Sequence, residues 1–207
     1  MTPPGPDRRI AGCGVPRAAR IRSILEAVGL PDTHLDLYPH EISGGQQRRV
    51  GLARILTLHP KVVILDEPTS GLDVSVQATV LSLFCGLRET FDLTYVLISH
   101  DLAVIRTMCS RVAVMYLGRI VESGPTDAIF DRPRHPYTRS LVAAIPRIGG
   151  VRVTRDFWLQ GEPPDPGNLP SGCRFRTRCP KAVDLCAREE PALSTLAQGS
   201  VACHFPD

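Results

Sequence analysis

Val62-Val63-Ile64-Leu65-Asp66-Glu67-Pro68-Thr69-Ser70-Gly71-Leu72-Asp73 is the stretch that decides how this chain is read. Four apolar residues in a row suit a parallel strand covered on both faces, because such a strand has no solvent side on which to alternate. The two carboxylates that follow stand at the carboxyl end of that strand, where open α/β sheets bind ligands. Downstream, Val76, Val80, Leu83 and Leu87 recur at the spacing of one helix face. Tyr95-Val96-Leu97-Ile98 reads as a second buried strand and ends in Ser99-His100-Asp101. Strand, helix and strand at this spacing predict a βαβ unit, and with it an α/β fold with a parallel sheet.

Working outward, Ile21, Ile24, Leu25 and Val28 predict a helix that Gly29 ends. Ser43-Gly44-Gly45 opens another, over Gln46 to Leu58. Arg111 to Met115 and Arg119 to Glu122 read as two strands around a turn at Leu117-Gly118. Residues 1–20 are rich in Pro, Gly and Arg without periodicity and read as a disordered leader. From Pro146 onward Pro and Cys rise and long apolar runs vanish, which sets 147–207 apart as an extension with a small core of its own or none. The domain between them spans 21–146.

The 207 residues carry 43% hydrophobic and 22% charged side chains, as an ordinary globular chain does, and a net charge of +3 is too small to argue for a nucleic-acid partner. No apolar run approaches the roughly 18 residues that cross a bilayer. A reducing, soluble compartment is the expectation, with any membrane contact made through a partner.

Three segments carry chemistry. Ser43-Gly44-Gly45-Gln46 combines a hydroxyl, two glycines that let a ligand approach the backbone, and the free N–H groups of a helix N-terminus, which favour phosphate; the same residues also make an ordinary helix cap. Asp66 is suited to hold Mg²⁺ through water, since that ion keeps much of its shell. Glu67 is suited to polarise an attacking water as general base; the alternative is an acidic cap after a core strand. His100 can hydrogen-bond a γ-phosphate and orient the water, or serve structure alone.

Together, Ser43-Gly44-Gly45-Gln46, Leu65-Asp66-Glu67-Pro68 with Ser70-Gly71-Leu72-Asp73, and Ser99-His100-Asp101 resemble the signature motif, Walker B, D-loop and switch histidine of ABC ATPases, in the family's order. The resemblance implies a partial P-loop NTPase sheet with ATP and Mg²⁺ as ligands. It makes Glu67 and His100 catalytic, and Ser43, Gly44, Gly45, Gln46, Asp66 and Asp73 nucleotide-binding. It also implies a second ATPase subunit across the nucleotide, transmembrane permease subunits, and a peripheral place on the cytoplasmic face of the membrane. Gly124-Pro125-Thr126 and His135-Pro136-Tyr137-Thr138-Arg139-Ser140-Leu141 resemble the C-terminal segment of oligopeptide and dipeptide importer ATPases; nickel importers share much of it. Ile42 stands where the signature usually has Leu.

One element of the family pattern does not occur: G-x-x-x-x-G-K-[S/T], the Walker A loop. The expectation is a truncated ATPase subunit of a peptide importer that neither cradles phosphates nor hydrolyses ATP by itself. The rivals are a non-catalytic remnant or metal-binding regulatory module, and a soluble ABC ATPase, against which the His135–Thr138 segment argues.

Of seven cysteines, Cys173, Cys179, Cys186 and Cys203 crowd the end of the chain, separated by five, six and sixteen residues. Zinc ribbons place their pairs two to four residues apart, so zinc is poorly matched. Four thiolates on longer loops suit an iron–sulfur cluster, and the resemblance implies a 4Fe–4S centre. Four unliganded thiols in a loose tail are the alternative.

Overall fold

The computed structural model describes residues 16–145 and 161–207. They divide into two compact units, one ending at Ile98 and the other beginning at Ser99.

The first unit opens with α1 (Arg17–Ala27) and α2 (Gly44–Leu56), which pack on each other. Two arginines explain their lengths. Arg20 on α1 donates to the Thr57 carbonyl at 2.5 Å, at the end of α2, and Arg49 on α2 donates to the Val28 and Gly29 carbonyls, both at 3.3 Å, at the end of α1. Each helix thus satisfies carbonyls that the other leaves without an intrahelical partner. That tie places Arg17 to Arg20 in a helix, where the sequence reading had the end of a disordered leader; residues 1–15 lie outside the described residues. Gly29 follows α1 in the left-handed region, at φ 71°, and a side chain there would stand 2.7 Å from the Arg49 guanidinium.

β1 (Val62–Asp66) and β2 (Thr94–Ile98) pair in parallel, with Ile64 opposite Val96 and Asp66 opposite Ile98, and α3 (Val74–Phe91) crosses between them. This is the expected βαβ unit. Val63 and Leu65 are buried together with Phe84 and Leu87 of α3.

In the second unit α4 (Leu102–Met108) precedes the hairpin of β3 (Arg111–Tyr116) and β4 (Arg119–Pro125). Leu117 and Gly118 turn it with φ of 43° and 77°, both positive as a two-residue hairpin turn of matching twist requires. α5 (Thr126–Asp131) and α6 (Pro136–Ala143) follow. The tail contributes α7 (Asp184–Arg188), β5 (Ser194–Leu196) and β6 (Gly199–Val201). The sheet order is β3-β4-β6-β5, antiparallel throughout. β6 lies against β4 only because residue 199 is glycine: a side chain there would collide with the Ser123 carbonyl.

The expected boundary near residue 146 lies outside the described residues. Beyond it the tail shares a core with residues before it, since Phe175 packs with Tyr116 and Val121.

Candidate functional site

The predicted nucleotide-binding turn is built as a helix cap. Ser43 accepts the Gln46 N–H at 3.3 Å through its hydroxyl oxygen, and the Gln46 side chain accepts the Ser43 N–H at 2.8 Å. This reciprocal box fixes the hydroxyl at the mouth of α2 and leaves its proton to donate outward. Gly44 and Gly45 are exposed, and a side chain at either would meet nothing within 4 Å. Packing does not require glycine at either position.

Asp66 is exposed at the last position of β1, and Glu67 turns the chain away from the strand. Its φ is 46°, uncommon for a side-chain-bearing residue, and its N–H is held by the Ile98 carbonyl at 2.9 Å. One oxygen of the Glu67 carboxylate is shielded from solvent. The strand pair thus places two carboxylates one after the other at the carboxyl end of a parallel sheet. Asp73 is the cap of α3, accepting the Val76 N–H at 2.9 Å and the Ser75 hydroxyl at 2.6 Å. The Ser75 hydrogen bond, followed by that from Val76, holds its carboxyl below the ordinary aspartate range.

His100 is exposed and is the second residue of the second unit, two residues beyond Ile98. Asp101 beside it caps α4 by accepting the Ala103 and Val104 N–H groups at 2.9 and 3.3 Å, so the histidine sits on a fixed helix start.

Cys173, Cys179, Cys186 and Cys203 are unbridged. The Cys173 N–H donates to the Cys186 carbonyl at 2.8 Å. Burial pushes the Cys173, Cys179 and Cys203 thiols up, and neighbouring thiols push them further: Cys186 acts on Cys173; Cys203, Cys173 and Cys186 act on Cys179; Cys173 and Cys186 act on Cys203. Four residues spread over the tail therefore share one neighbourhood. They do not form a closed cage: no group of three or more His, Cys, Asp or Glu among the described residues is placed to hold a metal ion.

Beside the thiols is a polar pair that the sequence reading missed. Glu122, buried in β4, accepts the N–H groups of Arg134 and His135 at 2.8 and 3.0 Å. His135, 1% exposed, caps α6 by accepting the Tyr137 N–H on Nδ1 at 3.1 Å, and its ring lies 5.5 Å from Phe175. Burial pushes its pKa down to about 4. The signal that could have found the pair was Glu122 itself, a carboxylate placed directly after Ile120-Val121 within a strand.

With this geometry in hand, the comparisons are specific. Residues 8–70 match the family model "ABC transporter", and residues 121–186 match "Oligopeptide/dipeptide transporter, C-terminal region". The chain carries an ABC transporter region and an oligopeptide/dipeptide transporter C-terminal region. It is 48% identical over 191 residues to the di/tripeptide transport ATP-binding protein DppF of Pseudomonas aeruginosa, covering 92% of this chain and 59% of that one. It is 46% identical over 193 residues to the oligopeptide transport ATP-binding protein AppF of Bacillus subtilis, covering 91% of this chain and 58% of that one. The chain thus spans less than two thirds of the length of either relative. The solved structure of cbiO1 from Clostridium perfringens, part of the ABC transporter complex cbiONQ, shares the fold with a TM-score of 0.51 at 32% identity, over 55% of this chain and 45% of that one. Among the described residues no helix is long and apolar enough to cross a membrane.

Proposed function

We propose that this ABC chain supplies the signature, Walker B and switch-histidine portions of the ATPase subunit that energises peptide uptake across the cytoplasmic membrane. The observation that carries the reading is the end of β1. Asp66 and Glu67 stand there in succession, in a chain about half identical to transport ATP-binding proteins named for peptides. Asp66, exposed and at the strand end, has the carboxylate that water-mediated Mg²⁺ binding needs. Glu67 accepts the proton of the attacking water, and the backbone bond to Ile98 holds it where the strand stops. His100 orients that water. Ser43, Gly44 and Gly45 meet the nucleotide held by a second ATPase subunit; open space around the two glycines fits close approach of a phosphate. Permease subunits give the complex its place at the membrane.

The tail reading follows on the same terms. The four tail thiols share one neighbourhood, and Cys173, Cys179 and Cys203 are pushed up by burial and by thiols beside them; this donor set suits an iron–sulfur cluster, with zinc the less matched alternative. Such a cluster would tie together four residues that are far apart in the sequence. Cys173, Cys179, Cys186 and Cys203 would hold it as thiolates.

The catalytic reading is tested by supplying a Walker A half, fused or as a second chain, and measuring Mg-ATP turnover. Glu67→Gln keeps the shape and removes the base, so turnover falls by roughly 10²-fold or more while ATP still binds. Turnover within about twofold of the unsubstituted protein would remove Glu67 from the mechanism.

A further inference from the structure

The second unit holds a cavity of about 550 Å³ to which the ATPase reading gives no role. A volume of this size lies within the range of small-molecule sites, roughly 300–1,000 Å³. Much of its wall is apolar. Buried Phe175 contributes to it, and so do Met115 and Ile120, which face each other in the β3-β4 register, and Leu193, which precedes β5. Met115, Ile120 and Leu193 are 61, 39 and 47% exposed. Large apolar side chains left in water around one concavity mark a place where a ligand gains by covering them.

The same wall carries charge. Arg119 and Arg174 both pair with one oxygen of Glu190, at 3.2 and 3.5 Å, and all three residues line the cavity. Arg174 also donates to the Leu117 carbonyl at the hairpin turn, so its guanidinium is held from two sides. A guanidinium presents five N–H donors in a fork that fits a carboxylate. Two such forks share a single carboxylate here, which leaves one positive charge in excess over Glu190 beside the apolar wall. Glu190 thus occupies the place that a ligand's carboxylate would take. We propose that the cavity binds a small monocarboxylic acid with an apolar body, its carboxylate on Arg174 and Arg119 and its body against Met115, Ile120 and Leu193. A monoanion cancels the excess charge, whereas a cation finds only a carboxylate that is already doubly paired. The lining residues all belong to the second unit, and Ser43, Asp66 and Glu67 to the first, so the proposal stands apart from the ATPase reading.

Isothermal titration of the full chain tests it with two acids from different sources: N-acetyl-leucyl-leucine for a peptide end and octanoate for a fatty acid. N-acetyl-leucyl-leucinamide, with the same body and no charge, is the control. One site with a Kd of about 1 mM or tighter is expected for at least one acid. The tighter of the two names the source, and the amide binds at least about tenfold more weakly than its acid, as the loss of a charged hydrogen bond requires. Arg174→Gln weakens the acid by about tenfold or more. Glu190→Gln removes the competing carboxylate and tightens binding severalfold, which a merely structural ion pair would not do. Thermal unfolding checks that each variant folds. If Arg174→Gln does not, Arg119→Gln carries the test with the same sign, at a side chain that is 60% exposed. No binding of either acid, equal affinity for acid and amide, or affinity indifferent to both arginine substitutions overturns the proposal. Weaker binding by a folded Glu190→Gln variant overturns it as well. So does tighter binding of the cation leucyl-leucinamide, which would make Glu190 the recognising group.

Discussion

The two sheets of this protein end their edges and faces in opposite ways. The parallel pair β1-β2 has α3 on one side and exposed Val62, Ile64, Val96 and Ile98 on the other. The antiparallel sheet brings its own closure: β6 and β5 extend it from the end of the chain, and Phe175 fills its aromatic core at 5.2 Å from Tyr116. Parallel pairing needs a crossover and cover on both faces, which a short stretch of chain does not provide. Antiparallel strands need only a turn, such as that at Leu117 and Gly118. The difference sets the two units apart: the first leaves one face of its strand pair exposed, and the second packs its tail into its own core.

The largest break in this comparison comes from the thiols. If the proposed iron–sulfur reading holds, loading the tail with iron and sulfide under anaerobic conditions raises the stability of the second unit by several kcal/mol, as structural metal sites do, and chelation removes the gain. Cys173→Ser, Cys179→Ser, Cys186→Ser or Cys203→Ser each lower metal occupancy, whereas Cys85→Ser and Cys109→Ser do not. Amide exchange in β4 and β6 should follow occupancy and that in β1 and β2 should not. Metal-free protein with four freely titrating thiols after anaerobic purification would end the reading.

Phe175→Ala sharpens the same contrast without metal. Phe175 is 1% exposed and touches Tyr116, Tyr137 and His135. Truncation is expected to cost about 3–5 kcal/mol in denaturant unfolding of the second unit. A loss below about 1 kcal/mol would show that the tail does not hold the core.

How far the sequence made these features legible depends on their length. β1, β2 and α3 were readable because runs of Val, Ile and Leu carry their own period. β5 and β6 have three residues each, and Gly199-Ser200-Val201 is a strand because it pairs with Glu122 and Ser123 on one side and with Ser194 to Leu196 on the other. α5 and α7 are too short to show a stripe. At the candidate site, Ser43, Asp66 and Glu67 stood out because caps and strand ends leave local signatures. Glu122 and His135 did not, because their partners are backbone N–H groups and rings distant in sequence.

His135 gives a smaller, pH-dependent break. Its folded pKa of about 4 lies below the ordinary value of 6.5, so the unfolded chain binds the proton more tightly. The contribution of the neutral, buried ring is therefore complete above about pH 6.5 and is lost as pH falls toward 4, by about 3 kcal/mol in all. His135→Asn keeps a capping side chain and removes the titration, so the slope of stability against pH between 6.5 and 4 should flatten. An unchanged slope would assign the acid sensitivity to other groups.

The smallest effect is the most telling about function. Gly44 and Gly45 lie in the first turn of α2, neither in a left-handed conformation and neither with a neighbour that a methyl group would touch. Glycine in a helix costs roughly 0.5–1 kcal/mol relative to alanine, because it has more freedom to lose. Gly44→Ala and Gly45→Ala are therefore expected to stabilise the free chain, each by up to about that amount, as a rise in its unfolding midpoint. If the glycines are there to let a phosphate approach the mouth of α2, the same substitutions lower Mg-ATP turnover of the completed assembly, although they strengthen the fold. Stabilisation with unaltered turnover would show that the turn is a helix cap and nothing more. Destabilisation would show that the free chain holds these residues in a conformation other than the open first turn described above.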